Sequence, residues 1–176
     1  MYRPPYHRFD DRAAQYDLID AHPLGTWVCQ GGDGLIASHL PFALDRARGD
    51  HGTLSAWIDP DDAEARAVPA GTPSLVVFLG PQAYISPGWY PGKAEHGRVV
   101  PTWNYVVVHA HGTVRWTADG AGIEIAIQRL EGKLKASQDE ARADREGTVV
   151  GLRAAGSEAA RTMAALVQHA LNTSPH

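Results

Sequence analysis

A continuous apolar run, Ser74-Leu75-Val76-Val77-Phe78-Leu79, constrains this chain most, because such a run predicts a central strand buried on both faces. Strand-like segments surround it. Thr26 to Gln30 followed by Gly31-Gly32-Asp33-Gly34 reads as a strand and a hairpin turn, with a second strand returning over Leu35 to Leu44. Gly52 to Ile58 predicts a third strand, and Asp59 to Pro73, rich in Asp, Ala and Pro, a solvated connection. Gln82 to Ser86 extends the sheet before a Pro/Gly/aromatic loop at 87–101. Trp103 to Trp116 and Ile123 to Leu130 add two more β segments rich in Val, Ile and aromatics.

Helical patterning is confined to the ends. Asp10 and Asp11 can cap a helix reaching about Ala21, with Ala14, Leu18 and Ala21 along one side, and His22-Pro23 ends it. Two further helices are expected at about 139–154 and 158–171, the second with Ala159, Met163, Leu166, Val167 and Ala170 at helical spacing. The expected fold is therefore mostly β, a β-barrel with peripheral helices. With 176 residues the expectation is one domain, 1–176, whose C-terminal part, about 139–171, is helical.

Charge and cysteine content narrow the function classes. A net charge of −4 gives no general basic field, so any DNA contact needs a local patch. The single cysteine, Cys29, cannot form an internal disulfide and fits a reducing cytoplasm. No apolar run approaches the roughly 18 residues of a bilayer span, so a cytoplasmic protein without membrane contact is expected.

Lysine is rare here, and its placement is informative. Against thirteen arginines the chain has three lysines, Lys93, Lys133 and Lys135, two of them in Gly132-Lys133-Leu134-Lys135-Ala136-Ser137-Gln138. Compact ammonium groups at alternate positions can meet one anion together, especially a phosphate. Ser137 and Glu140 also fit a capping box, which would open a helix directly after a lysine-bearing turn. On these residues alone, a capped helix beside two solvated lysines reads equally well.

Ser86 to Lys93 and Pro101 to Tyr105 form the second candidate region. Trp89, Tyr90, Trp103 and Tyr105, held by prolines, could wall a planar ring such as a flavin, although an aromatic loop at a subunit interface is the plainer reading. His109 and His111 lie two apart on a strand and point the same way, as two metal ligands would. No third ligand is in sequence reach, so core or interface histidines are favoured and no metal site is expected. Ser38-His39 lacks a paired carboxylate or nucleophile motif, and no catalytic residue is assigned.

Taken in order, Gly25-Thr26, Ala37-Ser38-His39-Leu40-Pro41, Gly80-Pro81-x-Ala83-Tyr84-Ile85-Ser86-Pro87-x-Trp89-Tyr90, Pro101-Thr102-Trp103-Asn104-Tyr105 and Glu131-Gly132-Lys133-x-Lys135-x-Ser137-Gln138 form one set. That set resembles the PaiB-like family, FMN-binding negative transcriptional regulators with a split-barrel flavoprotein fold, from Met1-Tyr2 to about Leu152. The resemblance implies a homodimer with FMN in a cleft between subunits, and repression of sporulation and protease genes in bacilli. It implies Ser38 and His39 near the flavin, Trp103 and Asn104 as ring-side contacts, and Lys133, Lys135, Ser137 and Gln138 as polar or phosphate contacts. Two other readings stay open: an FMN-dependent oxidoreductase of the pyridoxamine-phosphate-oxidase-like group, in which the flavin itself reacts, or a haem-type binder.

The chain departs from the family pattern twice. An Ala-Arg-Ala-Asn-Pro-x-x-Trp stretch, whose arginine suits a phosphate, is expected after the third strand, but Ser55-Ala56 runs straight into Trp57-Ile58-Asp59. A helical stretch is expected between the strands ending near Trp116 and starting near Ile123, where only Thr117 to Gly122 intervene. The lysine pair is left as the main visible phosphate anchor.

Overall fold

A computed structural model describes residues 1–93, 97 and 100–173. After a 3-10 turn at Pro5–His7 come α1 (Arg12–Ala21), β1 (Leu24–Gly31), β2 (Gly34–Pro41), β3 (Ala43–Asp45), β4 (Thr53–Trp57) and the short α2 (Ala63–Arg66). β5 (Pro73–Ile85), a 3-10 turn at Pro87–Trp89, β6 (Thr102–Trp116), β7 (Gly122–Lys135), α3 (Arg142–Ala155) and α4 (Glu158–Thr173) complete the order. The seven strands form one sheet in the order β2-β1-β5-β6-β7-β4-β3. The chain divides into two compact units, one of Met1–Phe9, Gly80–Val106 and Lys133–His176, the other of Asp10–Leu79 and Val107–Gly132.

In the second unit the hairpin signal gives the expected result. Gly31 pairs with Gly34 across Gly32-Asp33, and Gly34 takes a φ of +139° that a side chain would disfavour. The same ladder sets Trp27 opposite Ser38 and Thr26 opposite His39. Trp27 is fully buried, and its indole N–H donates to Ser74 Oγ on β5 at 3.0 Å, so the large ring enters the core without an orphaned donor. Asp11 caps α1 as expected, its carboxylate accepting from the N–H groups of Ala13 and Ala14. The buried side of α1 is Gln15, Tyr16 and Ile19, however, with Ala21 exposed.

Two strand expectations and one connection need correction. The apolar run at 74–79 is part of a thirteen-residue strand whose burial alternates, with Ser74, Val76 and Phe78 inside and Leu79 45% exposed, so it is covered on one face only. The strand expected over Leu35 to Leu44 breaks at Phe42 into β2 and β3 because Phe42 turns into the core, 4% exposed, against Phe78. The connection after Trp57 carries the short α2, capped by Asp62 through Ala65 N.

β6 and β7 are joined by a turn that satisfies itself. Thr117 Oγ donates to the Asp119 carboxylate and accepts from Gly122 N, while Ala121 N donates to Asp119. The two strands then approach so closely that a Cβ on Gly112 would lie 2.2 Å from the carbonyl oxygen of Ala126.

In the first unit, α3 ends at Gly156 with φ +72°, a left-handed stop, and α4 follows with Ser157 accepting from Ala160 N. Ala160, Met163, Ala164, Val167, Ala170 and Leu171 form the buried stripe of α4; Ala159 and Leu166, expected on it, lie outside it. No helix among the described residues is long and apolar enough to cross a membrane.

Gly112→Ala is expected to lower stability by about 1–3 kcal/mol, because the atom it meets is backbone and cannot rotate away. Gly32→Ala, which would meet nothing within 4 Å, should be close to neutral. Urea unfolding of the two variants beside the parent measures the difference.

Candidate functional site

The rare lysines sit on a strand. β7 continues through Lys135, so Lys133 and Lys135 are alternate residues of an extended segment, not members of the expected turn. The N-terminal segment meets β7 there through an antiparallel bridge between Arg8 and Lys133. Lys133 Nζ lies 5.4 Å from the centre of the Tyr105 ring and 5.8 Å from that of Tyr2, within cation–π range. Lys135 Nζ donates to Thr102 Oγ1 at 2.5 Å. Both ammonium groups are half-buried, and each is held by a different neighbour on β6.

The turn after β7 is built from the other residues singled out in the sequence. Ser137 takes a left-handed φ of +57°, is 2% exposed, and accepts a 2.9 Å hydrogen bond from Asn104 Nδ2. Asn104 is fully buried, and its Oδ1 has no hydrogen-bond partner. A buried amide oxygen left unpaired is costly and marks a place where a donor belongs. Gln138 closes the turn on itself, accepting from Ala136 N and donating to the Leu134 carbonyl.

The capping box is not formed. α3 begins at Arg142 behind Ala141, with no side-chain cap, and Glu140 N donates to the Ser137 carbonyl within the turn. Ser137 instead accepts from Asn104, and the helix starts five residues after it. Burial raises the Glu140 carboxyl, helped by Asp139 and Asp144, whereas the His7 ring 3.5 Å away holds Asp139 below the usual carboxylate range.

Strand alternation separates Trp103 from Asn104. Asn104 faces inward and Trp103 outward, 52% exposed, where its ring meets that of Tyr84 edge-on at 6.2 Å. Tyr84, Trp89 and Trp103 line an apolar groove of about 360 Å³ closed by Leu152, Ala155 and Ala160. The sequence reading missed what seats the aromatic loop. Gly147 and Gly151, one turn apart on α3, leave room for Trp89: a Cβ on Gly151 would lie 2.1 Å from its ring and one on Gly147 2.0 Å from its carbonyl oxygen. The accompanying signal was the Gly-x-x-x-Gly spacing. Asp144 fixes the far end of the loop by accepting from Gly92 N at 2.8 Å. Part of that loop, residues 94–96, 98 and 99, lies outside the described residues.

The second unit holds the remaining candidates. Ser38 is half-buried and His39 exposed on β2. Arg66, the first arginine after the absent family stretch, donates to the carbonyls of Asp59, Gly120 and Ile58 and lies over the Trp116 ring, so all three of its nitrogens have partners. His109 and His111 do gain a third potential ligand, Glu131 of β7, with ligand atoms of all three within 4.8 Å of one another. Burial lowers both imidazole pKa values first, with Arg129 next for His111.

Three comparisons bear on this arrangement. Residues 1–169 match the profile of a family described as "Putative FMN-binding domain". The chain is 32% identical over 112 residues to "Protease synthase and sporulation protein PAI 2" of Bacillus subtilis, a match covering 64% of this chain and 51% of that protein. The chain thus spans about half the length of that relative. It is 27% identical to an uncharacterized protein of Emericella nidulans over an alignment of 242 residues that covers 96% of each. Because that alignment is longer than the chain, the fungal protein carries insertions that this chain lacks. Among solved structures the chain is similar to the FAD and haem binding protein of Mycobacterium smegmatis, with a TM-score of 0.57 at 17% identity over 86% of this chain and 80% of that one. The fold is the mostly β one of the flavin-binding split barrels.

Tyr90 offers a test of the buried network. It is 5% exposed, and its hydroxyl, near Ser137 and Thr148, forms no hydrogen bond of normal geometry. Burial, then the Glu140 charge, pushes its pKa from 10.0 up to about 12. The unfolded chain therefore loses this proton before the folded one, and stability falls as pH rises from 10 to 12. Tyr90→Phe should remove that part of the fall while changing stability at pH 7 by less than about 1 kcal/mol; denaturant unfolding across that pH range reads both.

Proposed function

The chain belongs to the FMN-binding domain family, and from that premise we propose that it is a homodimeric FMN-binding regulator in which the flavin tunes an interaction. The observation that carries this reading is the polar cluster at the end of β7: Lys133 and Lys135, the Thr102 hydroxyl, and the buried, unpaired Oδ1 of Asn104. Two ammonium groups suit a phosphate monoester, and an amide oxygen without a donor suits a polar edge of a ring or ribityl chain. Trp103, on the opposite face of β6 from Asn104, lines the separate aromatic groove with Tyr84 and Trp89 and is not assigned to this cluster. These residues fit FMN by the chemistry of their donors. When bound, FMN supplies a reversible redox centre; the chain's own residues bind its phosphate, orient its ring and limit water around it.

The regulatory part rests on the Bacillus relative, which is named for protease synthase and sporulation, and on the surface charge. Arg46 pairs with Asp17 and Asp20, Arg48 with Glu124, Arg129 with Glu131 and Arg142 with Glu146. Guanidinium groups already neutralised offer little to a phosphate backbone. Any DNA contact of the flavin-loaded dimer, in the cytoplasm, would then fall to a local patch of other basic residues.

Adding FMN to the purified chain is expected to give one flavin per subunit with an altered absorbance spectrum, in a particle of dimer mass by light scattering. Lys133→Ala with Lys135→Ala should weaken FMN binding by at least about tenfold, the loss of charge-assisted bonds to the phosphate. The same change should leave riboflavin, which has no phosphate, nearly unaffected. Equal weakening of both ligands would remove the lysines from the phosphate role, and no flavin uptake at all would overturn the reading. Bleaching of bound flavin by NADPH would favour an oxidoreductase instead.

A further inference from the structure

We propose that His109, His111 and Glu131 bind a divalent first-row transition ion of the zinc type, at a site that does not depend on the flavin reading. The two histidines are alternate residues of β6 and so project from one side of the strand. Glu131 comes from β7, twenty residues later, and Glu131 Oε2 lies 3.2 Å from His111 Nε2. All three ligand atoms fall within 4.8 Å of one another. Around a tetrahedral zinc ion, with bonds of about 2.0–2.2 Å, ligand atoms sit roughly 3.4 Å apart. The present spread of up to 4.8 Å therefore has about 1.4 Å to close around an ion.

The chemistry of the three groups selects the ion. Two imidazole nitrogens and one carboxylate oxygen are a borderline set that suits zinc, cobalt, nickel or copper, whereas magnesium and calcium require mostly oxygen. Three protein ligands leave a fourth position for water or an incoming ligand, and the His111 side chain, 28% exposed, gives solvent a route to it. One group that competes for the carboxylate is Arg129, whose guanidinium pairs with Glu131 Oε1. Its side chain is 55% exposed, so it can leave for solvent at little cost when an ion takes the carboxylate. Arg129 thus lowers the affinity of the site by competing for one ligand.

Cobalt titration of the chelator-treated full chain tests this directly. One Co²⁺ per chain is expected at micromolar concentration, with the visible d–d bands of a tetrahedral nitrogen/oxygen site, and zinc should displace it. His109→Gln and His111→Gln, polar replacements at half-buried positions, should each weaken binding by about tenfold or more and together abolish the bands. Arg129→Gln, at an exposed position where folding is not at stake, should tighten binding several-fold. The chain has nine histidines, so bands that survive in the double variant would assign cobalt to other residues and overturn the proposal. So would failure to bind near one equivalent, or an Arg129→Gln variant that binds no more tightly than the parent.

Discussion

Backbone pairing of β6 with β7 is the interaction on which the other arrangements depend. The strands are fifteen and fourteen residues long, and their contact at Gly112 and Ala126 is so close that no side chain fits between them. In the first unit this pairing brings Thr102 and Asn104 to Lys135 and Ser137; in the second it brings His111 to Glu131. Neither grouping exists within a single segment of sequence. Each depends on β6 and β7 lying next to each other in the sheet.

Local chemistry was legible wherever a residue acts on its own neighbours. Asp11 caps α1 and Gly31 to Gly34 close a hairpin, each for a reason confined to a few residues. Ser137 shows where that reasoning ends. The spacing to Glu140 had the form of a cap, but a buried amide 33 residues earlier claimed the hydroxyl, and the helix began farther on without it. The helix faces were misread for a similar reason, since the apolar stripe of an alanine-rich helix is set by what it packs against. Residues such as Ala159 and Ala160 differ only in position.

The candidate site was legible by rarity more than by pattern. Lys133 and Lys135 stood out because the chain has one other lysine, yet their place on a strand, and the neighbours that hold them, required the structure. Trp103 and Asn104, adjacent in the sequence, serve opposite faces, which the period of a strand allows to be anticipated once the strand is assigned. Glu131 could not be paired with the two histidines from spacing, because it arrives through the partner strand.

The six-residue connection at Thr117 to Gly122 stands where the family pattern has a helical stretch. Its hydroxyl, carboxylate and several backbone groups bond one another, while the Gly120 and Ala121 carbonyls take donors from farther away, Arg66 and Ile58 N. Loop closure costs grow with loop length, and a short turn lowers the sequence separation of every β6–β7 contact. The consequence is kinetic: this hairpin can assemble early as a local unit, giving the rest of the sheet a template to join.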